Sequence, residues 1–212
     1  MKQGFVKVAS ATPRIRVADP VYNAQVICEQ AKEAAEHGAK IVVFPELCIT
    51  GYTCNDLFLQ ELLLEKAKEA LLTIAEETGQ LETLFLVGLP VDKDGRLYNV
   101  AAVLYRGRIL GMIPKKNIPM YAEFYEGRHF TPGEETVTEY RLGKQVIPFG
   151  SNLLFRCEEL PELILGCELC EDLWVAEPPS TSHALMGATV IANLSASNET
   201  VSKDDYLSLI HI

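Results

Sequence analysis

The chain has 212 residues, of which 48% are hydrophobic and 23% charged, and its formal net charge is −10 at pH 7. This length and composition favour one globular domain with its own hydrophobic core over a disordered segment. The 29 acidic residues outnumber the 19 basic ones and are scattered along the chain, so nucleic acid is not an expected partner. The apolar runs are only strand-sized, which argues against a membrane partner.

The cysteines and the N-terminal sequence both bear on the cellular compartment. The first residues lack the apolar region of a signal peptide, so we expect a cytoplasmic location. In a reducing cytosol, cysteines are interpreted as thiols or ligands before disulfides. The chain has six of them, at positions 28, 48, 54, 157, 167 and 170.

The first third of the chain predicts a β-α-β unit followed by a second helix. Residues 4–9 alternate in polarity like a strand, and Asp19 and Pro20 supply the N-cap and first position of a helix that ends at Gly38. Residues 41–44 are apolar at consecutive positions, which is typical of a strand covered on both faces. The second helix is expected from near Leu57 to Gly79.

The remaining elements complete an α/β pattern. Residues 114–150 are rich in Pro, Gly and Glu with weak periodicity, and long ordered connections of this kind are often functional. The sequence therefore predicts one domain with a mixed sheet and helices on its faces. Further strands are expected at 84–90, 98–105, 108–113, 163–169 and 190–194, and a short helix at 180–187.

Chemically useful side chains follow several of the predicted strands. Glu46, Lys115 and Cys170 each come directly after a strand, and Ser195 and Ser197 follow the last one. Ligands of such sheets gather beyond the carboxyl ends of the strands. A thiol, a carboxylate and an ammonium at such an edge suit a nucleophile, its base and an oxyanion donor. Taken one at a time, these residues also fit a solvated carboxylate, a surface lysine and a small buried hydrophobe.

The neighbouring residues carry a specific resemblance. Residues 44–52, 114–119 and 170–174 resemble, in that order, the Glu, Lys and Cys motifs of the nitrilase (carbon–nitrogen hydrolase) superfamily. Residues 121–128 and 193–197 are similar to the corresponding segments of the glutaminase domains of glutamine-dependent NAD synthetases. The resemblance implies an α/β fold of the four-layer type, an α-β-β-α sandwich with mixed sheets, whose C-terminal part is missing here.

The resemblance also implies a role for each matching residue. It implies Glu46 as general base, Lys115 as stabiliser of the tetrahedral intermediate and Cys170 as nucleophile. Glu126 matches a second acidic residue beside the lysine. The positions that hold the glutamine substrate in the family are matched by Tyr121, Glu171, Ser197 and Lys203. At the position of Lys203 relatives often carry arginine, so the positive charge is kept but the bidentate hydrogen bonding of a guanidinium is lost.

The implied reaction is hydrolysis of glutamine through a cysteine thioester. Its ammonia would serve the ATP-dependent amidation of nicotinic acid adenine dinucleotide to NAD by a synthetase domain that this sequence lacks. We therefore expect neither metal nor cofactor in this chain; ATP, magnesium and the dinucleotide would bind only the missing domain. The family domain is expected over residues 1–206, incomplete at its C-terminus, with 207–212 as a non-family tail. The full-length protein is expected to form a homo-oligomer.

Two alternatives remain open from the sequence. One is a free-standing nitrilase-type amidase that acts on another small amide. The other is a non-catalytic domain of this fold, with zinc held by the Cys-x-x-Cys of Cys167 and Cys170 together with Cys48 and Cys54. Residues three apart in a strand point to opposite faces, which argues against a shared metal or a disulfide in that motif.

Overall fold

The computed structural model describes residues 4–198, 200–203 and 205. The predicted tail, 207–212, lies outside these residues. The helices are α1 (Pro20–Glu36), α2 (Glu61–Glu77) and α3 (Pro179–Leu185). The strands are β1 (Val8–Ser10), β2 (Ile41–Val43), β3 (Leu84–Lys93), β4 (Arg96–Tyr105), β5 (Arg108–Pro114), β6 (Thr138–Leu142), β7 (Gln145–Phe149), β8 (Leu154–Arg156), β9 (Ile164–Leu169) and β10 (Val190–Leu194).

The strands form two mixed sheets. The larger has seven strands in the order β1-β2-β3-β4-β5-β7-β6, and the smaller has three in the order β10-β9-β8. The strands β1, β2 and β3 are parallel, β3, β4 and β5 are antiparallel neighbours, and β5 pairs with β7 in parallel. In the smaller sheet β10 and β9 are parallel, whereas β8 and β9 are antiparallel.

Two clusters of buried hydrophobic residues pack the helices and the two sheets against one another in four layers. One joins α1 and α2 to the larger sheet through residues such as Ile27 and Leu71. The other joins the two sheets face to face, with Val103 of β4 and Leu169 of β9 among its fully buried members. On the outer side, α3 places the buried His183 against Gly166 of β9. The predicted α-β-β-α sandwich with mixed sheets is confirmed.

Local signals explain where α1 and α2 begin. The Asp19 side chain accepts a hydrogen bond from the backbone nitrogen of Tyr22 at 3.1 Å, and Pro20 occupies the first turn, so α1 starts as predicted. The predicted start of the second helix near Leu57 was wrong. A 3₁₀ segment over Tyr52–Leu59, interrupted by Asn55 at φ 49°, precedes it, and α2 begins only at Glu61.

The sequence analysis did not predict some strands of the structure. The expected connection 114–150 contains the hairpin of β6 and β7 at the edge of the larger sheet. Each of these strands buries only two side chains, such as Tyr140 and Leu142 in β6, so its apolar periodicity is too short to detect. The strand β8 was not predicted either, and the first strand is limited to Val8–Ser10. In the described part of the chain, no helix has the length and apolar character to cross a membrane.

Candidate active site

The three strand ends singled out in the sequence meet at one edge of the sandwich. Glu46 follows β2 and Lys115 follows β5 in the larger sheet, and Cys170 follows β9 in the smaller one. All three side chains are buried, Lys115 completely. Since Glu46 and Lys115 belong to one sheet and Cys170 to the other, the face-to-face packing of the two sheets assembles the site.

Lys115 sits between two carboxylates. Its Nζ lies 2.7 Å from Oε1 of Glu46 and 2.6 Å from Oε1 of Glu126. Asn99 of β4 donates from its amide nitrogen to Oε1 of Glu46 at 2.7 Å and to Oε2 of Glu126 at 3.3 Å. The hydroxyl of Tyr52 donates to Oε1 of Glu126 at 2.8 Å. The cluster therefore joins one ammonium, two carboxylates and two neutral donors.

Burial and charge set the protonation of this cluster. Burial lowers the affinity of Lys115 for a proton, but the carboxylates of Glu46 and Glu126 outweigh it, so the pKa of Lys115 is raised and its ammonium persists. Burial is also the main cause that raises the pKa of Glu46, with Glu126 adding to it and Lys115 and Asn99 opposing it. A carboxylate with a raised pKa is suited to accept and return a proton near neutral pH.

Cys170 occupies a sharp turn at the end of β9. Its φ of 41° lies in the left-handed region that non-glycine residues seldom adopt, and such strain is often found at functional sites. Its Sγ lies 3.7 Å from Oγ of Ser197. Burial, and then the charge of Glu46, raise the pKa of the Cys170 thiol, whereas Lys115 and the hydroxyls of Ser197 and Ser195 oppose this shift. Burial and Glu46 therefore favour the thiol, whereas Lys115 and the two serines favour the thiolate.

Two backbone features fix the position of Glu46. The next residue, Leu47, has φ 52°, and Gly88 of β3 lets this turn approach closely, because a Cβ on Gly88 would lie 2.3 Å from the Leu47 nitrogen. From the smaller sheet, the backbone nitrogen of Ala196 donates to Oε2 of Glu46 at 3.2 Å. Glu46 is thus held by both sheets, with Oε1 directed to Lys115 and Oε2 to the loop after β10.

The four residues predicted to bind substrate take part in three contacts that bear on the site. The hydroxyl of Tyr121 donates to Oε2 of Glu171 at 2.7 Å, and this hydrogen bond is the main cause that raises the pKa of Tyr121 to about 12. Ser197 faces the sulfur of Cys170. Lys203 donates to the backbone oxygen of Asn198 at 2.9 Å, so its ammonium braces the loop that carries Ser197.

Sequence reasoning missed three residues of the site: Tyr52, Asn99 and Asp172. Tyr52 and Asp172 belong to the motifs that carry the resemblance, and their position beside the predicted catalytic residues was the available signal. Asn99 is a fully buried amide that directly precedes the buried apolar residues 100–104 of its strand, and a polar residue there signals a specific hydrogen-bonding role. In the part of the chain that the structure describes, no three His, Cys, Asp or Glu residues are arranged to hold a metal ion.

Comparison with known proteins identifies the family of the chain. The carbon–nitrogen hydrolase family profile matches residues 7–210. The chain is 41% identical over 202 residues to the glutamine-dependent NAD(+) synthetase of Mycobacterium bovis, an alignment that covers 95% of this chain and 30% of that protein. The chain thus spans about a third or less of the curated relatives that it matches.

Solved structures also superpose on nearly the whole of this chain. A glutamine-dependent NAD(+) synthetase from Cytophaga hutchinsonii superposes with a TM-score of 0.86 at 28% identity, over 97% of this chain and 33% of that one. A mutant amidase from Nesterenkonia sp. AN1, whose active-site cysteine carries the acetamide moiety of fluoroacetamide, superposes with a TM-score of 0.74 at 19% identity. That match covers 96% of this chain and 70% of the amidase, and at this identity it shows the fold.

Proposed function

Because the chain belongs to the carbon–nitrogen hydrolase family, we propose that it hydrolyses the side-chain amide of glutamine through a thioester on Cys170. One observation carries the proposal. The fully buried Lys115 lies between Glu46 and Glu126, at the edge where the strained turn of Cys170 also ends. A buried ammonium that bridges two carboxylates beside a thiol supplies a nucleophile, a base and an oxyanion donor at one place.

In the first half of the reaction, Glu46 accepts the proton of the Cys170 thiol and the thiolate attacks the carboxamide carbon of glutamine. Lys115 donates a hydrogen bond to the oxyanion of the tetrahedral intermediate. The intermediate collapses as Glu46 returns the proton to the departing amine. Ammonia leaves, and a γ-glutamyl thioester remains on the sulfur.

In the second half, water enters where ammonia left. Glu46 takes a proton from this water, and the resulting hydroxide attacks the thioester carbonyl while Lys115 again stabilises the oxyanion. Collapse of the second intermediate releases glutamate, and the thiolate recovers its proton from Glu46. Glu126, held by Tyr52, acts through Lys115, since its carboxylate and that of Glu46 keep the ammonium charged and oriented.

Tyr121, Glu171, Ser197 and Lys203 are proposed to hold the substrate. Glu171 offers a carboxylate to the α-ammonium of glutamine, and the Tyr121 hydroxyl fixes that carboxylate. Ser197 faces the sulfur and so borders the reacting amide. Lys203 is proposed to support this surface by ordering the Ser197 loop through Asn198.

The length of the relatives supports a proposal about a larger protein. Curated relatives that are about three times longer than the aligned segment are named glutamine-dependent NAD(+) synthetases. We propose that residues 1–206 form the glutaminase domain of such a protein and supply ammonia for amidation of nicotinic acid adenine dinucleotide. ATP and magnesium belong to the synthetase domain in this proposal, and the whole protein is a cytoplasmic homo-oligomer.

Labelling and turnover together test the glutaminase proposal. A chloroketone analogue of glutamine should alkylate Cys170, glutamine should protect it, and Cys170→Ala should abolish the release of ammonia and glutamate. Cys157→Ala is the matched control, because this partly exposed thiol lies outside the site and its loss should change neither readout. Protection by another small amide but not by glutamine would favour a different amidase. Stoichiometric zinc without labelling would favour the non-catalytic alternative.

A further inference from the structure

One buried carboxylate connects the turn that carries Cys170 to the loop that carries Lys115. Asp172 is almost completely buried and lies two residues after Cys170. Its Oδ1 accepts hydrogen bonds from the backbone nitrogen of Asn117 at 2.7 Å and from the Asn117 side chain at 2.9 Å. Its Oδ2 accepts from the backbone nitrogens of Leu169 at 3.1 Å and Lys116 at 3.4 Å.

These four contacts join two chain segments that belong to different sheets. Leu169 precedes Cys170 at the end of β9, whereas Lys116 and Asn117 follow Lys115 at the end of β5. Burial raises the pKa of Asp172, and the donors from Leu169, Asn117 and Lys116 oppose this by favouring the carboxylate. The carboxylate therefore accepts from both segments at once, which an amide in its place cannot do with all four donors.

We propose that Asp172 is a positioning residue that holds the Cys170 turn and the Lys115 loop at a fixed distance, so that the lysine charge acts on the sulfur. This inference rests on the proposed glutaminase chemistry and extends it to a residue that touches no reacting atom. It also explains how Cys170 keeps its φ of 41°, since the Oδ2 contact to Leu169 closes the turn directly before it.

The direction in which Asp172→Asn changes the apparent pKa of the Cys170 thiol distinguishes a positioning role of Asp172 from a direct effect of its charge. The charged groups that act on the Cys170 thiol are Glu46 and Lys115, and the titratable hydroxyls of Tyr52 and Tyr121 also interact with it. Asp172→Asn removes a negative charge from this region, which by charge alone would lower the apparent thiol pKa. If Asp172 positions Lys115, the same substitution weakens the lysine's effect and raises that pKa.

The experiment measures the pH dependence of Cys170 alkylation in the full chain. Asp172→Asn should raise the apparent thiol pKa by about one unit and lower kcat roughly 10- to 100-fold, with a smaller change in KM. In a Lys115→Met background, the rise in thiol pKa caused by Asp172→Asn should disappear, because the rise acts through Lys115. A lowered thiol pKa, or equal shifts with and without Lys115, would overturn the proposal.

Two further variants keep the test decisive if Lys115→Met does not fold. Asn117→Ala removes one donor to Asp172 and should shift the thiol pKa upward by less than Asp172→Asn. Glu168→Gln is the matched control, since Glu168 is a buried carboxylate in β9 that accepts from Ser180 at 3.0 Å and should leave the thiol pKa unchanged. Failure of wild-type Cys170 to react with the glutamine analogue would instead refute the glutaminase proposal itself.

Discussion

The ammonium of Lys115 lies 2.7 Å from the carboxylate of Glu46, and neither side chain is exposed to solvent. A buried ion pair costs desolvation of both groups, and it is maintained only where further hydrogen bonds complete it. Here Glu126 accepts from the same ammonium, and Asn99 donates to both carboxylates. Removing the cation therefore leaves two buried carboxylates facing each other.

Lys115→Met should destabilise the chain strongly and remove glutaminase activity. We expect a loss of about 3–5 kcal/mol in the free energy of unfolding, as is typical when one partner of a buried pair is removed. The apparent pKa of the Cys170 thiol should also rise, since Lys115 opposes the effects of burial and Glu46. Urea unfolding and the pH dependence of alkylation measure the two effects.

The adjacent lysine supplies the control for this prediction. Lys116 pairs with Glu135 at the surface, and Lys116→Met should cost less than about 1 kcal/mol. Its backbone contact to Asp172 remains in the variant. Similar losses of stability in the two variants, or an unchanged thiol pKa in Lys115→Met, would contradict the proposed role of Lys115.

Asn99→Leu should shift the pH profile of glutamine hydrolysis. The hydrogen bond from Asn99 favours the charged form of Glu46, so its removal raises the pKa of Glu46 further. As the proposed base, Glu46 would act when deprotonated. The acid limb of kcat/KM should therefore move to higher pH, by about one unit for a charge-assisted bond of roughly 1.5 kcal/mol. Activity at low pH should fall while the high-pH plateau is better preserved.

A second buried asparagine tests whether this shift is specific. Asn23 is also fully buried, and its side chain donates to the backbone oxygens of Arg16 and Ile49 and not to a carboxylate. Asn23→Leu should lower the free energy of unfolding about as much as Asn99→Leu does, but it should leave the acid limb of kcat/KM in place. If both variants shift the limb equally, or neither does, Asn99 does not tune Glu46.

The chain order of motifs could predict which residues would meet, but not how they are connected. Glu46, Lys115 and Cys170 were found because each follows a recognisable apolar strand. The bonds of Asn99 to Glu46 and Glu126 span 53 and 27 residues, and no local pattern reports such contacts. The roles of the three strand-end residues stay predictions until they are measured.

The sequence likewise predicted those elements of the fold that have local signals and missed those that depend on distant contacts. The start of α1 could be located because the Asp19 cap acts within one turn of chain. The hairpin of β6 and β7 was missed because the pairing of these strands with their neighbours, and not their own short patterns, makes them strands. The separation into two sheets followed from the family resemblance, since nothing local distinguishes β9 from the strands of the larger sheet.

Tyr121→Phe should weaken glutamine binding with little effect on the intrinsic reactivity of the thiol. The lost hydroxyl leaves Glu171 without one donor, at a cost of about 1 kcal/mol, which corresponds to a rise in KM of roughly fivefold. Alkylation by iodoacetamide, which lacks an α-ammonium, should keep its wild-type rate. Tyr125 is a nearby tyrosine that is similarly exposed, so Tyr125→Phe is the control. An equal rise in KM there would show that Glu171 is not the relevant contact.

Gly88→Ala should displace the Glu46 turn. An added Cβ would lie 2.3 Å from the nitrogen of Leu47 and 2.6 Å from the oxygen of Pro45, and these are backbone atoms that cannot swing aside. We expect a loss of about 3 kcal/mol in the free energy of unfolding and a lower kcat, because the carboxylate moves relative to Lys115. Chemical denaturation and glutaminase assays measure both quantities.

Gly95→Ala separates this steric effect from the general cost of replacing a glycine. Gly95 has φ 72°, and a Cβ there would meet no atom within 4 Å. Its replacement should cost only about 1–2 kcal/mol, the penalty of a left-handed backbone. It should leave kcat unchanged, because the added Cβ would meet neither carboxylate. Normal kcat in Gly88→Ala would show that the position of Glu46 does not depend on the close approach of β3.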